Sequence, residues 1–209
     1  MMIDVVQGSP EWIQCRIGKV TSSRISDIMA KGKNGAPSAT RKNYMYQLLL
    51  ERLTGEMAEH YISPEMQRGI DKEQDAADAY EIETYSIVEK CGFFPSPSGL
   101  MEGSSPDRLV GENGLIEIKN PNTATHIETK LSENGTIKSD YIYQMQHQMY
   151  CSERQWCDFV SYDDRCPANL RLFIKRIDRD DLMIAEISGE VKLFLKELDA
   201  LEEKVRSLK

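Results

Sequence analysis

Apolar positions recur at helical spacing in several stretches of this chain and at alternating, strand-like spacing in others. Residues 12–16 read as a short helix, and Thr21 or Ser22 can cap a second one running to about Ala30. Residues 31–38, Lys-Gly-Lys-Asn-Gly-Ala-Pro-Ser, form a flexible cationic loop by their Gly and Pro content. Thr40 can cap a helix through Leu53 that stops near Gly55. Ser63-Pro64-Glu65 combines a cap, a proline at the first helical position and an acid, which starts a helix reaching about Tyr85. The middle of the chain reads as strands at 87–89, 103–110 and 115–119, then helices at 122–131 and 140–152, then strands at 158–162 and 170–177. Residues 180–209 form a long charged helix with apolar positions at Leu182, Ile187, Val191, Phe194, Leu198, Leu201 and Val205. This order predicts an α/β fold: one central mixed sheet with helices on both faces, in a single domain spanning 1–209.

Composition narrows the class. The 209 residues are 40% hydrophobic and 29% charged, so the chain is neither disordered nor fibrous. No run of about 18 apolar residues exists to cross a membrane, and residues 1–10 do not have the form of a secretory signal. Five cysteines without a C-x-x-C pair argue against a disulfide framework and for a reducing cytoplasm. Net charge is −8, unlike a simple nucleic-acid binder. The charge is uneven, however: residues 1–54 carry +4 and the remainder −12, so a basic N-terminal third can still face a polyanion.

The candidate chemistry lies at 105–119. Side chains alternate along a strand, so Ile116 and Ile118 point one way and Glu117 and Lys119 the other. Reading Glu112-Asn113-Gly114 as a three-residue hairpin loop, with Gly114 left-handed, pairs Gly111 with Leu115 and Asp107 with Lys119. Asp107, Glu117 and Lys119 then share one face. Two carboxylates can hold a hard divalent cation such as Mg²⁺, and the lysine can orient water or neutralise charge developing on phosphorus. The same spacing also fits a solvated sheet face with a surface ion pair. On the helix starting at Pro64, Met66, Ile70, Glu73, Ala77, Tyr80 and Thr84 form one stripe. Glu73, in the middle of that stripe, needs a partner. A metal shared with Asp107 and Glu117 would serve, and so would a place at the stripe's edge. Gly69, one turn earlier, allows a backbone to approach closely.

The run Asp107-x9-Glu117-x-Lys119, with Pro106 before the aspartate, resembles the PD-(D/E)XK nuclease signature. More narrowly the chain resembles the lambda-exonuclease-like, YqaJ-type phage recombination exonucleases over about residues 10–178. The resemblance rests on five ordered pieces: Trp12-x3-Arg16-x-Gly18-x2-Thr21-x-Ser23; Arg68-Gly69-x3-Glu73; Ser105-Pro106-Asp107; Leu115-x-Glu117-x-Lys119-x-Pro121; and Tyr141-x2-Gln144-x-Gln146-x2-Met149. It implies a restriction-endonuclease-like core and Mg²⁺-dependent removal of 5′ nucleotides from double-stranded DNA ends, with Mn²⁺ as a substitute. It also implies a ring of three subunits, a phage single-strand annealing protein as partner and the cytoplasm of a bacterial host. By the same resemblance Glu73, Asp107 and Glu117 match metal ligands, joined by the Ile118 carbonyl, and Lys119 matches the catalytic lysine. Gln144 or Gln146 matches a glutamine near the site. Arg16, Ser23 and Ser105 match holders of the 5′-terminal phosphate, Met66 a strand-separating wedge and Lys33 a basic loop contact to DNA. An arginine with two hydroxyls suits a phosphate, and helix-start amides near Ser22 and Ser23 can add to it.

Other features read as structural. His60, His126 and His147 lack metal spacing, and Tyr141, Tyr143, Met145, Met149 and Tyr150 read as core packing. Cys151, Cys157 and Cys166 are spaced unlike iron–sulfur ligands, so no cluster is expected. Competing classes are an endonuclease of the same superfamily, which has no use for a 5′-phosphate pocket, and an acidic DNA-mimic or interaction protein. The latter gives no reason for Asp107, Glu117 and Lys119 to share a face.

Overall fold

The computed structural model describes residues 1–58, 62–132 and 135–208; His60 lies outside them. In chain order the elements are α1 (Pro10–Arg16), β1 (Val20–Thr21), α2 (Ile25–Met29), α3 (Ala39–Thr54), α4 (Pro64–Thr84), β2 (Val88–Glu89), β3 (Phe94–Pro95), β4 (Glu102–Ser104), β5 (Arg108–Val110), β6 (Gly114–Lys119), α5 (Thr123–Leu131), α6 (Ser139–Ser152), β7 (Trp156–Tyr162), β8 (Leu172–Asp178) and α7 (Asp181–Arg206). All of these helices but α2 and α6 start where a side chain takes up a free backbone N–H. Ser9, Ser63, Asn122 and Asp180 cap α1, α4, α5 and α7. The cap of α3 is Ser38, whose Oγ accepts from Arg41 N at 3.0 Å, not the expected Thr40. Neither Thr21 nor Ser22 caps a helix. A 3₁₀ turn over Ser22–Arg24 precedes the short α2, and the Ser22 hydroxyl is engaged by His147 instead.

The expected single sheet is two. A three-stranded sheet has the order β1-β4-β3, and a five-stranded sheet the order β2-β5-β6-β7-β8. The span expected as one strand, 103–110, breaks at Ser105-Pro106-Asp107, with β4 in the small sheet and β5 in the large one. Proline has no N–H to give to a ladder. The Pro106 carbonyl instead accepts from Gln7 Nε2 at 2.8 Å and from the Cys91 thiol at 3.1 Å.

In the large sheet β6 runs antiparallel to β5 and parallel to β7. The β5–β6 register pairs Arg108 with Ile116 and Val110 with Gly114, so the three-residue loop is 111–113, one residue earlier than expected. Gly111, with φ of 52°, is the left-handed glycine. Gly114 is needed for another reason: a Cβ there would lie 2.1 Å from the Trp156 ring. Continued by one residue, this register sets Asp107 opposite Glu117. The slip moves both strands by one, so the expected sharing of a face survives.

Both faces of the large sheet are covered. Ile116, Ile118, Val160 and Tyr162 pack against Ala76, Ala77 and Tyr80 of α4. On the other face Leu115, Cys157 and Phe159 pack against Met145 and Met149 of α6. A separate core joins Ile25, Tyr44 and Leu48 to Ile187, Val191, Phe194 and Leu198 of α7. Leu182, expected on that stripe, is 86% exposed in the first turn of α7.

The loop after β7 ties α4 to the sheet through Asp163, whose side chain is fully buried. Asp163 accepts from Thr123 Oγ1 at 2.6 Å, Arg165 Nε at 2.7 Å and Arg68 Nη2 at 3.1 Å. Burial alone would raise its pKa, but the Arg165 and Thr123 hydrogen bonds outweigh it and hold the carboxyl at about 2. The depressed pKa contributes stability that is present above the ordinary aspartate range and lost as pH falls through about 2. Asp163→Asn is therefore expected to lower unfolding free energy at neutral pH by about 2–4 kcal/mol. In denaturant titrations the gap between parent and variant should narrow as pH falls from about 4; a gap independent of pH would refute this account.

Candidate active site

The break at Pro106 puts Ser105 and Asp107 at the junction of the two sheets, and both face a cavity of about 420 Å³. Its walls also carry Trp12 and Arg16 of α1, Ser22 and Ser23, Met66, Gly69, Ile70 and Glu73 of α4, Glu117, Ile118 and Lys119 of β6, Asn120, and Gln144 and Gln148 of α6.

Glu117 is 2% exposed and every oxygen is occupied. Oε1 accepts from Lys119 Nζ at 2.5 Å and Gln144 Nε2 at 2.7 Å; Oε2 accepts from Gln148 Nε2 at 2.6 Å. Lys119 Nζ also donates to Gln144 Oε1 at 3.3 Å and lies 4.8 Å from the Tyr141 ring centroid. Burial works against the Lys119 charge, but Glu117 and Asp107 outweigh it and raise its pKa, so the side chain is an ammonium. Asp107 Oδ2 accepts from the Ile118 backbone N–H at 2.6 Å. Burial, then the neighbouring Glu117 and Glu73 carboxylates, push the Asp107 carboxyl well above its ordinary range.

Glu73 is near enough to act on the Asp107 charge, but its own carboxylate is paired elsewhere. It is 37% exposed and accepts from Arg108 Nη1 at 2.5 Å, a partner the sequence reading missed. Among the described residues no three His, Cys, Asp or Glu side chains stand together as a finished metal cage. The donor set nevertheless suits a hard cation. It offers oxygen ligands, and the burial and carboxylate repulsion that raise the Asp107 pKa are what a divalent ion would offset.

The other end of the cavity is cationic and hydroxylic. Arg16 stacks its guanidinium 4.1 Å over the Trp12 ring, and its buried Nε has no hydrogen-bond partner. Burial lowers the Arg16 pKa, the sign of a charge with little solvation. Trp12 Nε1 donates to Ser105 Oγ at 2.8 Å. An indole nitrogen only donates, so the Ser105 proton is left to point elsewhere.

Of the residues singled out in the sequence, Arg16, Ser23, Met66, Glu73, Ser105, Asp107, Glu117, Ile118, Lys119 and Gln144 line this one cavity. Two do not. Gln146 faces away from it, donating to Asp178 O at 2.8 Å and accepting from Asp180 N at 2.9 Å, so it anchors the start of α7. Lys33 is exposed in a 3₁₀ turn outside the cavity wall. Gln148 was missed although it lies one helical turn from Gln144, the spacing that puts both on Glu117. His126 is structural, bonded to Ser161 Oγ and Leu170 O at 2.8 Å each.

Mixed sheets flanked by helices, with Asp107, Glu117 and Lys119 gathered at the centre, define an α/β core of the PD-(D/E)XK type. The chain belongs to the YqaJ-like viral recombinase family, whose domain matches residues 11–155. It is similar to the crystal structure of an alkaline exonuclease, LHK-Exo, from Laribacter hongkongensis, at 50% identity and a TM-score of 0.87, covering 95% of this chain and 96% of that one. A structure of LHK-Exo in complex with dAMP matches at 49% identity over the same shares of both chains, again with a TM-score of 0.87. A phage-related exonuclease from Haemophilus somnus 129PT, 19% identical, shares the fold at a TM-score of 0.74, covering 90% of this chain and 96% of that one. Among curated proteins there is no match.

If Lys119 acts on the reacting water or phosphate, Lys119→Ala should cut the rate roughly 10²-fold or more in a variant that still folds and binds DNA. Near-normal turnover would remove it from the mechanism. If Glu73 helps to hold a divalent cation, Glu73→Ala should raise the Mg²⁺ concentration needed for half-maximal activity; an unchanged requirement would leave Glu73 as a partner of Arg108 alone.

Proposed function

We propose that this exonuclease degrades one strand of linear double-stranded DNA in the 5′-to-3′ direction, with Mg²⁺ or Mn²⁺, from 5′-phosphorylated ends. The products would be 5′ mononucleotides and 3′ single-stranded tails. The observation that carries this reading is that one cavity is lined both by Asp107, Glu117 and Lys119 and by Arg16, Ser23 and Ser105. A terminal phosphate carries about one more negative charge than an internal one. A desolvated guanidinium with an unbonded Nε gains most from such a dianion, which it can meet with two parallel bonds.

Asp107, Glu117 and the Ile118 carbonyl would hold the metal, with Glu73 joining on release from Arg108. The bound ion would polarise the scissile phosphate and acidify a water. Lys119, already an ammonium, donates to the charge that develops on phosphorus or to the attacking water. Gln144 bonds both Glu117 and Lys119 and so fixes the angle between them. Met66, 44% exposed at the cavity rim, offers an apolar edge where the strands separate. Support from the relatives is that LHK-Exo is an alkaline exonuclease with a dAMP complex, a mononucleotide of the kind that stepwise release from a DNA end yields.

The wider setting is also proposed: a closed ring of three, working in a bacterial host's cytoplasm with a phage single-strand annealing protein. A domain of 209 residues cannot surround a duplex by itself, and processive digestion benefits from encirclement. Among the described residues no helix is long and apolar enough to cross a membrane.

The test is digestion of linear duplexes with 5′-phosphate or 5′-hydroxyl ends, and of circles, with Mg²⁺ and with chelator. Loss of the linear 5′-phosphorylated strand alone, abolished by chelator, is expected; cutting of circles would point to an endonuclease. Arg16→Ala should erase the advantage of 5′-phosphorylated duplex, and a variant that digests both duplexes as the parent does would place the phosphate elsewhere. Light scattering should report about three times 23.9 kDa; a monomer at micromolar concentration would rule out the ring.

A further inference from the structure

Behind the phosphate end of the cavity lies a buried polar cluster that the proposed reaction leaves unused. Ser22, 4% exposed, lines the cavity. Its Oγ is 2.8 Å from His147 Nδ1, and His147 Nε2 is 3.0 Å from Glu102 Oε2. His147 on α6 and Glu102 on β4 are each buried. Glu102 Oε1 accepts from the Ser96 hydroxyl at 2.7 Å and the Ser98 hydroxyl at 3.3 Å. The Cys151 sulfur stands 3.8 Å from both ring nitrogens, and the Tyr150 ring tilts against the imidazole at 6.1 Å.

We propose that the Glu102–His147 pair fixes the Ser22 hydroxyl as a hydrogen-bond donor aimed into the cavity, adding it to Ser23 and Ser105 in the grip on a terminal phosphate. This rests on the 5′-phosphate reading given above. Phosphate oxygens only accept, so a hydroxyl helps only when its proton faces them. Beside a bare imidazole nitrogen, a serine turns its proton toward that nitrogen. A carboxylate at Nε2 requires a proton between them, so the state of Nδ1 decides. With Nδ1 protonated, the ring donates to Ser22 Oγ, and the Ser22 proton is left for the cavity.

The surroundings favour that state. Burial works against a charged ring, but the Cys151 sulfur and the Glu102 carboxylate outweigh it and raise His147 to about 10. Burial likewise pushes Glu102 up, and His147 with the two serine hydroxyls more than reverses it. A raised His147 and a lowered Glu102 both favour the charged pair, and with it a proton on Nδ1 at neutral pH. The same arrangement recurs at Ser105, whose Oγ is taken by the Trp12 indole N–H. His147 and Glu102 are positioning residues; Ser22 is the one that touches the ligand.

The test reads proton position and end preference separately. The chain has three histidines, which keeps a ¹⁵N ring spectrum of the full-length protein readable. At neutral pH the Nδ1 of His147 should resonate as protonated; a bare Nδ1 would overturn the proposal without any variant. In digestion assays Ser22→Ala should raise KM for 5′-phosphorylated duplex roughly tenfold and KM for 5′-hydroxyl duplex less than about twofold. An equal effect on both duplexes would overturn it. Glu102→Gln should bare Nδ1 and shrink the end preference together, whereas a full preference with a bare Nδ1 would separate the ring from the grip. Arg16→Ala tells the two ideas apart. If it keeps the parent's end preference, the phosphate pocket and the relay fall together. If it loses the preference while Ser22→Ala keeps it, the relay alone fails.

Discussion

Glu117 is a carboxylate enclosed between a sheet and a helix, and much of the structure follows from satisfying it. A buried ionised carboxylate without partners is prohibitively costly. Three donors meet Glu117: Lys119 from its own strand and Gln144 and Gln148 from α6. Because β6 alternates, Lys119 must sit on the same face as Glu117. Because α6 repeats every 3.6 residues, two glutamines four apart must reach the same point. The helix is thus locked to the sheet at the spot where the chemistry is proposed to occur. The residual imbalance, burial and neighbouring carboxylates raising the Asp107 pKa, is one that a bound cation would resolve.

The second organising feature is the break between the two sheets. A continuous strand through 103–110 would have put Ser105 and Asp107 in one ladder. Pro106 ends one sheet and the next begins at Arg108, so the two side chains flanking the proline converge on the cavity. The proposed hydroxyl end and the carboxylate end are therefore separated by a single residue of chain.

Much of this was legible in the sequence, for reasons tied to period. Helices with a proline at the start, such as α4, or a glycine stop, such as α3, appeared close to where they were expected. The face shared by Asp107 and Glu117 survived an error in the loop, because a slip of one residue on both strands preserves parity. What escaped was set by long-range contact. The two-residue strands β1 and β3 carry too little pattern to be seen alone. That Gln144 and Gln148 rather than Gln146 reach Glu117 depends on which side of α6 meets the sheet, and the pairing of Glu73 with Arg108 depends on how α4 lies across β5. Leu182 fits the stripe of α7, but at that end of the helix nothing covers it.

The acidic total and the basic N-terminal third fit together once hydroxyl orientation is considered. A serine can donate or accept, so a row of serines does not by itself favour an anion. Arg16 supplies charge, but its planar fork leaves the direction of neighbouring protons open. In this fold a fixed donor occupies the Ser105 oxygen, and the Nδ1 of a ring whose other nitrogen meets a buried carboxylate stands at the Ser22 oxygen. An end-gripping site built in this way needs little surplus positive charge, because oriented O–H dipoles and one desolvated guanidinium do the binding locally. Elsewhere on the molecule, few strong phosphate contacts are then required, and each one avoided removes salt-dependent drag on sliding along the duplex. On the proposed reading a net charge of −8 is compatible with acting on DNA: the attraction would be concentrated at the DNA end, where direction would be decided.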